Sequence, residues 1–259
     1  MKKLLLKAAA LILGALFITS CADRPAKGKH VVFIGDSITD GNWGCVNGYK
    51  PTSAERSHTD FNHIYGHSYM MLIASDFQAK HPEADYQFYN RGFSGHKLAD
   101  LEGRWQEDVL DLNPDVLSVL VGVNDMGNHF RNKEEDDTPF DYEGWKERYR
   151  SLLLKTKEKN PSVQLVLCVP FLAKEGSTGQ LADYDDRKEM VTRLAGIVRE
   201  LASELDATCV PFDTMFEDLI KSEPRPTYWI WDGVHPTPAG HRKMADLWEK
   251  ESASSRRSG

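Results

Sequence analysis

From residue 30 to residue 250, short apolar runs alternate with longer segments whose apolar residues recur every three to four positions. No other feature constrains the fold as strongly. Residues 30–34 (His-Val-Val-Phe-Ile) form an unbroken apolar run ending at Gly35, the pattern of a strand covered on both faces. Similar runs occupy 86–90, 116–123, 163–169 and 208–212. Between them, 64–80, 97–112, 142–159 and 181–205 carry helical spacing, and a last helical segment spans 238–250. Strands separated by helices pair in parallel through right-handed crossovers. The alternation therefore predicts a single doubly wound α/β domain over 30–251, with a five-stranded, mostly parallel sheet flanked by helices. Two stretches, 41–62 and 128–141, read as long loops of the kind that lie over binding sites, the second with a solvated acidic run at Glu134–Asp137.

The first 20 residues follow a different logic. Lys2 and Lys3 precede an apolar stretch from Ala8 to Ile18, too short to cross a bilayer permanently but right for a signal peptide. Ile18-Thr19-Ser20-Cys21 resembles the bacterial lipoprotein box, which implies cleavage before Cys21 and a lipid on its sulfur. An ordinary secretory signal is the alternative. Each buried methylene of such a lipid contributes about 0.8 kcal/mol, and two chains hold where one does not. The expectation is a domain anchored to the membrane through Cys21 in a bacterial cell envelope, outside the cytoplasm. Ala22 rather than Asp after the cysteine implies the outer membrane if the host is Gram-negative. Residues 21–29 read as a tether and 252–259 as a disordered tail. Lys plus Arg number 32 against 39 Asp plus Glu, for a net charge of −7 with no basic block in the folded part, which argues against a nucleic-acid partner.

The chemistry concentrates where the predicted strands end. Gly35-Asp36-Ser37-Ile38-Thr39-Asp40-Gly41 follows the first strand, at the carboxyl edge where open α/β sheets hold ligands. Ser37 by itself reads equally well as a helix N-cap. Asn90-Arg91-Gly92 follows the second strand, Gly122-Val123-Asn124-Asp125 the third, and Asp232-Gly233-Val234-His235-Pro236 stands near the C-terminus. In a doubly wound sheet these four segments share one edge.

Together they resemble the SGNH hydrolase superfamily, the GDSL esterases and lipases, with Ser37, Gly92, Asn124 and His235 as the marker residues. Ile38 stands where the family name has leucine. The resemblance implies a flavodoxin-like fold and a serine esterase. Ser37 would be the nucleophile, His235 the base that takes its proton, and Asp232 the carboxylate that orients the imidazole. The Ser37 N–H, the Gly92 N–H and the Asn124 amide would form the oxyanion hole. Asp36 and Asp125 read as loop supports.

No cofactor is expected. His58, His63 and His67 are close in sequence, but no third-ligand spacing typical of a catalytic metal accompanies them. Cys45, Cys168 and Cys209 remain beyond the lipid site, with a Cys168–Cys209 disulfide left open. Trp43, Trp229 and Trp231 lie near the marker residues and would offer flat faces to a sugar ring. The expected reaction is ester hydrolysis through an acyl-enzyme, with O-deacetylation of an acetylated glycan as the leading substrate reading. The alternatives are a lysophospholipase or thioesterase acting on long acyl chains, and a glycan-binding lipoprotein without turnover.

Overall fold

A computed structural model describes residues 28–41, 64–223 and 225–255. The signal peptide, Cys21, Trp43, Cys45, His58 and His63 lie outside the described residues, as does nearly all of the expected 41–62 loop.

Strand β1 (His30–Gly35) runs into a single helical turn, α1 (Ser37–Asp40). Next come α2 (Tyr69–Lys80), β2 (Gln87–Gly92) and α3 (Leu98–Gly103), which leads into a π-helical turn at Gln106–Leu110. The chain continues with β3 (Val116–Leu120), α4 (Val123–Asn132), α5 (Tyr142–Lys159), β4 (Gln164–Cys168) and α6 (Tyr184–Glu204). It ends with β5 (Thr208–Val210), α7 (Phe212–Ser222) and α8 (Pro238–Ser255). The five strands are all parallel, in the order β2-β1-β3-β4-β5. Register aligns their carboxyl ends: Gly35 lies opposite both Gly92 and Leu120, and Leu120 lies opposite Cys168.

At its centre the sheet is covered on both faces. Val31 to Gly35 and all of β3 are buried, as the apolar runs require. Helices α2 and α8 pack on each other. The Trp248 ring of α8 lies 5.1 Å from that of Phe33, and its indole N–H donates to Ser118 Oγ at 3.0 Å.

The structure departs from the sequence reading at several ends. The third strand stops at Leu120 rather than 123, because Gly122 takes φ 134 and turns the chain into α4. That helix covers 123–132, so the expected 128–141 loop is helical over its first third. The fifth strand stops at Val210: Pro211 has no N–H for the ladder, and α7 begins directly after it. The expected tail at 252–259 is helical to Ser255; Ser252 is buried and its carbonyl accepts from Gln164 Nε2 at 3.3 Å. The expected tether is already packed at Gly28, which is buried. Cys168 and Cys209 are both free thiols. Cys209 is in register with Leu167, so alternation puts it on the opposite face of the sheet from Cys168.

Candidate active site

The turn that carries Ser37 is built by its own backbone needs. Asp36 is extended (φ −104, ψ −154) and caps α1, its Oδ1 accepting the Ile38 N–H at 3.0 Å. Gly41 closes the turn at φ 58, its N–H donating to the Ser37 carbonyl. Ser37 thus occupies the first helical position, where the backbone N–H has no intrahelical acceptor.

The histidine turn is held by one carboxylate. Asp232 Oδ1 accepts the N–H groups of Val234 (2.9 Å) and His235 (2.7 Å), while Oδ2 pairs with His235 Nδ1 at 2.7 Å. Gly233 takes φ 94, and a side chain there would strike Thr178. A short antiparallel bridge braces the turn from below: the Trp231 N–H donates to the His235 carbonyl at 3.0 Å, and the Thr237 N–H to that of Trp229 at 2.9 Å.

The two turns meet. His235 Nε2 lies 2.7 Å from Ser37 Oγ across 198 positions of sequence. With the Asp232 carboxylate on Nδ1, the proton belongs there, and Nε2 is left as acceptor for the serine hydroxyl. The bond from Asp232 raises the His235 pKa above its ordinary value, against the opposing effect of burial. Burial pushes the Asp232 carboxyl up, but bonds from the His235 ring and the turn backbone overcome this and leave its pKa below the ordinary carboxylate value. Asp36, wholly buried, is pushed up to about 7 by desolvation.

Of the expected oxyanion donors, Gly92 is not placed for that role. Its N–H donates to Asn90 Oδ1 at 2.9 Å, and a Cβ on it would collide with the backbone of α1. Its lack of a side chain serves packing. The Asn90 amide reaches across to the Thr39 and Asp40 carbonyls, both at 3.2 Å, and so joins α1 to β2.

The open glycine is Gly95, three residues on. It sits at φ 85 in a turn closed by the His96 N–H on the Phe93 carbonyl (3.2 Å), with nothing within 4 Å of where a Cβ would stand. Its neighbour Ser94 lines the same cleft as Ser37. Asn124, in the first turn of α4, donates from Nδ2 to the His96 carbonyl at 3.2 Å and leaves its second amide hydrogen for another acceptor.

Arg104 fastens this region from behind. Its guanidinium pairs with buried Asp108, donates to the carbonyls of Arg91 (2.9 Å) and Gly35 (3.3 Å), bonds His96 Nδ1 at 3.1 Å and covers the Phe93 ring at 4.4 Å. Asp125 plays a parallel part, accepting from the Trp145 indole at 2.9 Å and the Leu98 N–H at 3.3 Å; burial raises its pKa to about 6.

Comparison with known proteins bears on what such an arrangement does. The model of the GDSL-like Lipase/Acylhydrolase family matches residues 33–243. The chain belongs to that family. A curated relative, an acetylxylan esterase from Geobacillus stearothermophilus, is 30% identical over 231 residues, which span 86% of this chain and 94% of that one. The solved structure of a catalytic mutant of that esterase superposes with a TM-score of 0.71 at 28% identity, covering 87% of this chain and 94% of that one. A GDSL-like protein from Parabacteroides merdae gives a TM-score of 0.72 at 32% identity, over 88% and 96% of the two chains.

In this GDSL-like chain the Ser37–His235 pair opens on a cleft of about 430 Å³ that also takes in Asp40, His67, Trp231 and His241. Trp231 is 58% exposed and stacks near the His235 ring at 6.3 Å. Trp229, expected beside it, faces elsewhere: its indole N–H donates to the Leu219 carbonyl at 3.0 Å and its ring packs on the core. Sequence reading missed Gly95, Arg104 and His241. Only Gly95 left a signal, as the glycine of Ser94-Gly95 just past the second strand.

Proposed function

We propose that this GDSL-type esterase hydrolyses carboxylic esters through an acyl-enzyme on Ser37, and that its substrate is an O-acetylated carbohydrate. Ser37 Oγ adds to the ester carbonyl as His235 Nε2 takes its proton, and the carbonyl π pair moves onto oxygen. The Ser37 N–H, the Gly95 N–H and the free hydrogen of the Asn124 amide receive that oxyanion, each such donor contributing roughly 3 kcal/mol to barrier lowering. Collapse expels the sugar alkoxide, which takes the proton from His235 and leaves acetyl-Ser37. Water then repeats the sequence, its proton passing to His235 and back to Ser37, and acetate departs. Asp232 keeps Nδ1 protonated throughout and stabilises the imidazolium.

One observation carries the reading: the unbroken chain Ser37 Oγ–His235 Nε2, 2.7 Å, and His235 Nδ1–Asp232 Oδ2, 2.7 Å. The catalytic mutants solved for the Geobacillus esterase replace a serine, an aspartate and a histidine, the last two also three residues apart. That esterase acts on acetylxylan by name, and the exposed face of Trp231 beside the serine suits a sugar ring. We further propose that residues 1–20 are a signal peptide and that a lipid on Cys21 anchors the domain in the cell envelope, outside the cytoplasm. Mass spectrometry of the native N-terminus, finding an unmodified cysteine, would remove that anchor.

The deciding assay is acetate release from acetylated xylan and other acetylated polysaccharides, beside p-nitrophenyl acetate and p-nitrophenyl palmitate. Release from a glycan, abolished in Ser37→Ala with the fold intact by circular dichroism, is the expected result. Preference for palmitate would move the substrate to long acyl chains, and full activity in Ser37→Ala would overturn the mechanism.

A further inference from the structure

His241 stands in the first turn of α8 and lines the cleft that holds Ser37. Its Nδ1 accepts the backbone N–H of Tyr69 at 3.1 Å. That N–H is the first of α2 and has no acceptor within its own helix, so the imidazole acts as its cap. The two rings lie nearly parallel, 8° apart with centroids at 6.5 Å, which holds the imidazole plane. A ring nitrogen that accepts a backbone N–H carries no proton, so in the neutral ring the proton sits on Nε2. Nε2 has no acceptor among the described residues.

We propose that His241 is a substrate-positioning residue, a neutral imidazole locked in one tautomer that donates from Nε2 to an oxygen of the sugar bearing the ester. The inference rests on the carbohydrate reading above and adds a residue to it. Burial, reinforced by nearby His235, lowers the His241 pKa to about 4, so the ring remains a neutral donor wherever the Ser37–His235 pair is active. Such a donor recognises a lone pair on a hydroxyl, ring or glycosidic oxygen. The leaving group of p-nitrophenyl acetate has no hydroxyl, ring or glycosidic oxygen of a sugar. His241 would therefore discriminate between leaving groups and leave the acyl group unread.

The test compares kcat/KM for an acetylated xylo-oligosaccharide with that for p-nitrophenyl acetate. In His241→Asn the side-chain oxygen can still accept the Tyr69 N–H, but the chain ends short of the Nε2 position. In His241→Gln an amide N–H reaches about that far. The ratio of sugar ester to nitrophenyl ester should fall roughly 3- to 10-fold in His241→Asn, the usual effect of one neutral hydrogen bond, mostly through KM, and recover in part in His241→Gln. An unchanged ratio, or a proportional loss on both esters, would overturn the proposal. Nitrogen NMR of the wild-type protein tests it without any variant: Nε2 must be the protonated nitrogen, and a proton on Nδ1 ends the argument. If the wild-type protein releases no acetate from any sugar ester, the carbohydrate reading fails first and this inference falls with it.

Discussion

The Asp232 carboxylate does two jobs that substitution can separate. Oδ1 ties up the turn backbone and Oδ2 bonds the imidazole. An asparagine can keep the first with its carbonyl, but its amide N–H on the other side faces Nδ1 and forces the ring into the wrong tautomer. Asp232→Asn should therefore fold normally and lose about 10³- to 10⁴-fold in kcat. The pH profile carries a second signature. An imidazole can serve as a base only when neutral, and the bond to Asp232 raises the His235 pKa above its ordinary value. In the wild-type protein kcat/KM should rise through that raised pKa, and in Asp232→Asn the limb should move to lower pH as the support is lost. A limb that stays in place would mean that another group controls it. At this scale much of the site was legible, because Asp36-Ser37 and Asp232-x-x-His235 are contiguous runs whose spacing already encodes a turn. His241 was not, since only the position of Tyr69, 172 residues away, determines which nitrogen carries the proton.

At the scale of elements, strand ends carried the ambiguity. Periodicity located all five strands, but it cannot say which glycine after a strand faces a ligand and which one packs. Gly92 and Gly95 are the instance. Register pairs Gly92 with Gly35 inside the sheet, and a Cβ there meets the α1 backbone, whereas Gly95 opens on space at φ 85. Alanine at 92 must displace main chain, an overpacking that costs about 1–3 kcal/mol or more. Alanine at 95 meets no atoms and bears only the left-handed penalty of about 1–2 kcal/mol. Gly92→Ala should thus lower Tm more than Gly95→Ala, while Gly95→Ala should show the greater loss of kcat per degree of Tm lost. Thermal melts and steady-state kinetics on the pair would decide. The reverse order would return the oxyanion role to Gly92. Helices α4 and α7 were both absent from the sequence reading for related reasons: its third and fifth strands ran through Gly122 and Pro211, and tertiary packing decides whether the chain beyond such a residue coils into a helix or stays a loop.

The whole molecule determines whether Ser37 and His235 meet. They belong to opposite ends of the described chain, and two contacts decide their separation: the brace under the histidine turn, and the seating of α8, which starts three residues after His235. Trp248 is the anchor of that seating. It is 2% exposed, touches the Phe33 ring of β1, and bonds Ser118 of β3. Those two strands lead directly into the Ser37 turn and the Asn124 turn, so one indole references the histidine to both. Removing it leaves a large cavity and takes the indole donor from the Ser118 hydroxyl, for which about 3–5 kcal/mol is the ordinary cost. Trp248→Ala should lose that much in urea denaturation and, in the fraction that remains folded, lose kcat as well, because α8 is freed to shift. Trp248→Phe keeps most of the volume and the contact with Phe33, so it should recover most of kcat along with stability. If Trp248→Ala were destabilised with kcat per folded molecule intact, the histidine turn would be held by its own brace alone, and α8 would contribute only to the core.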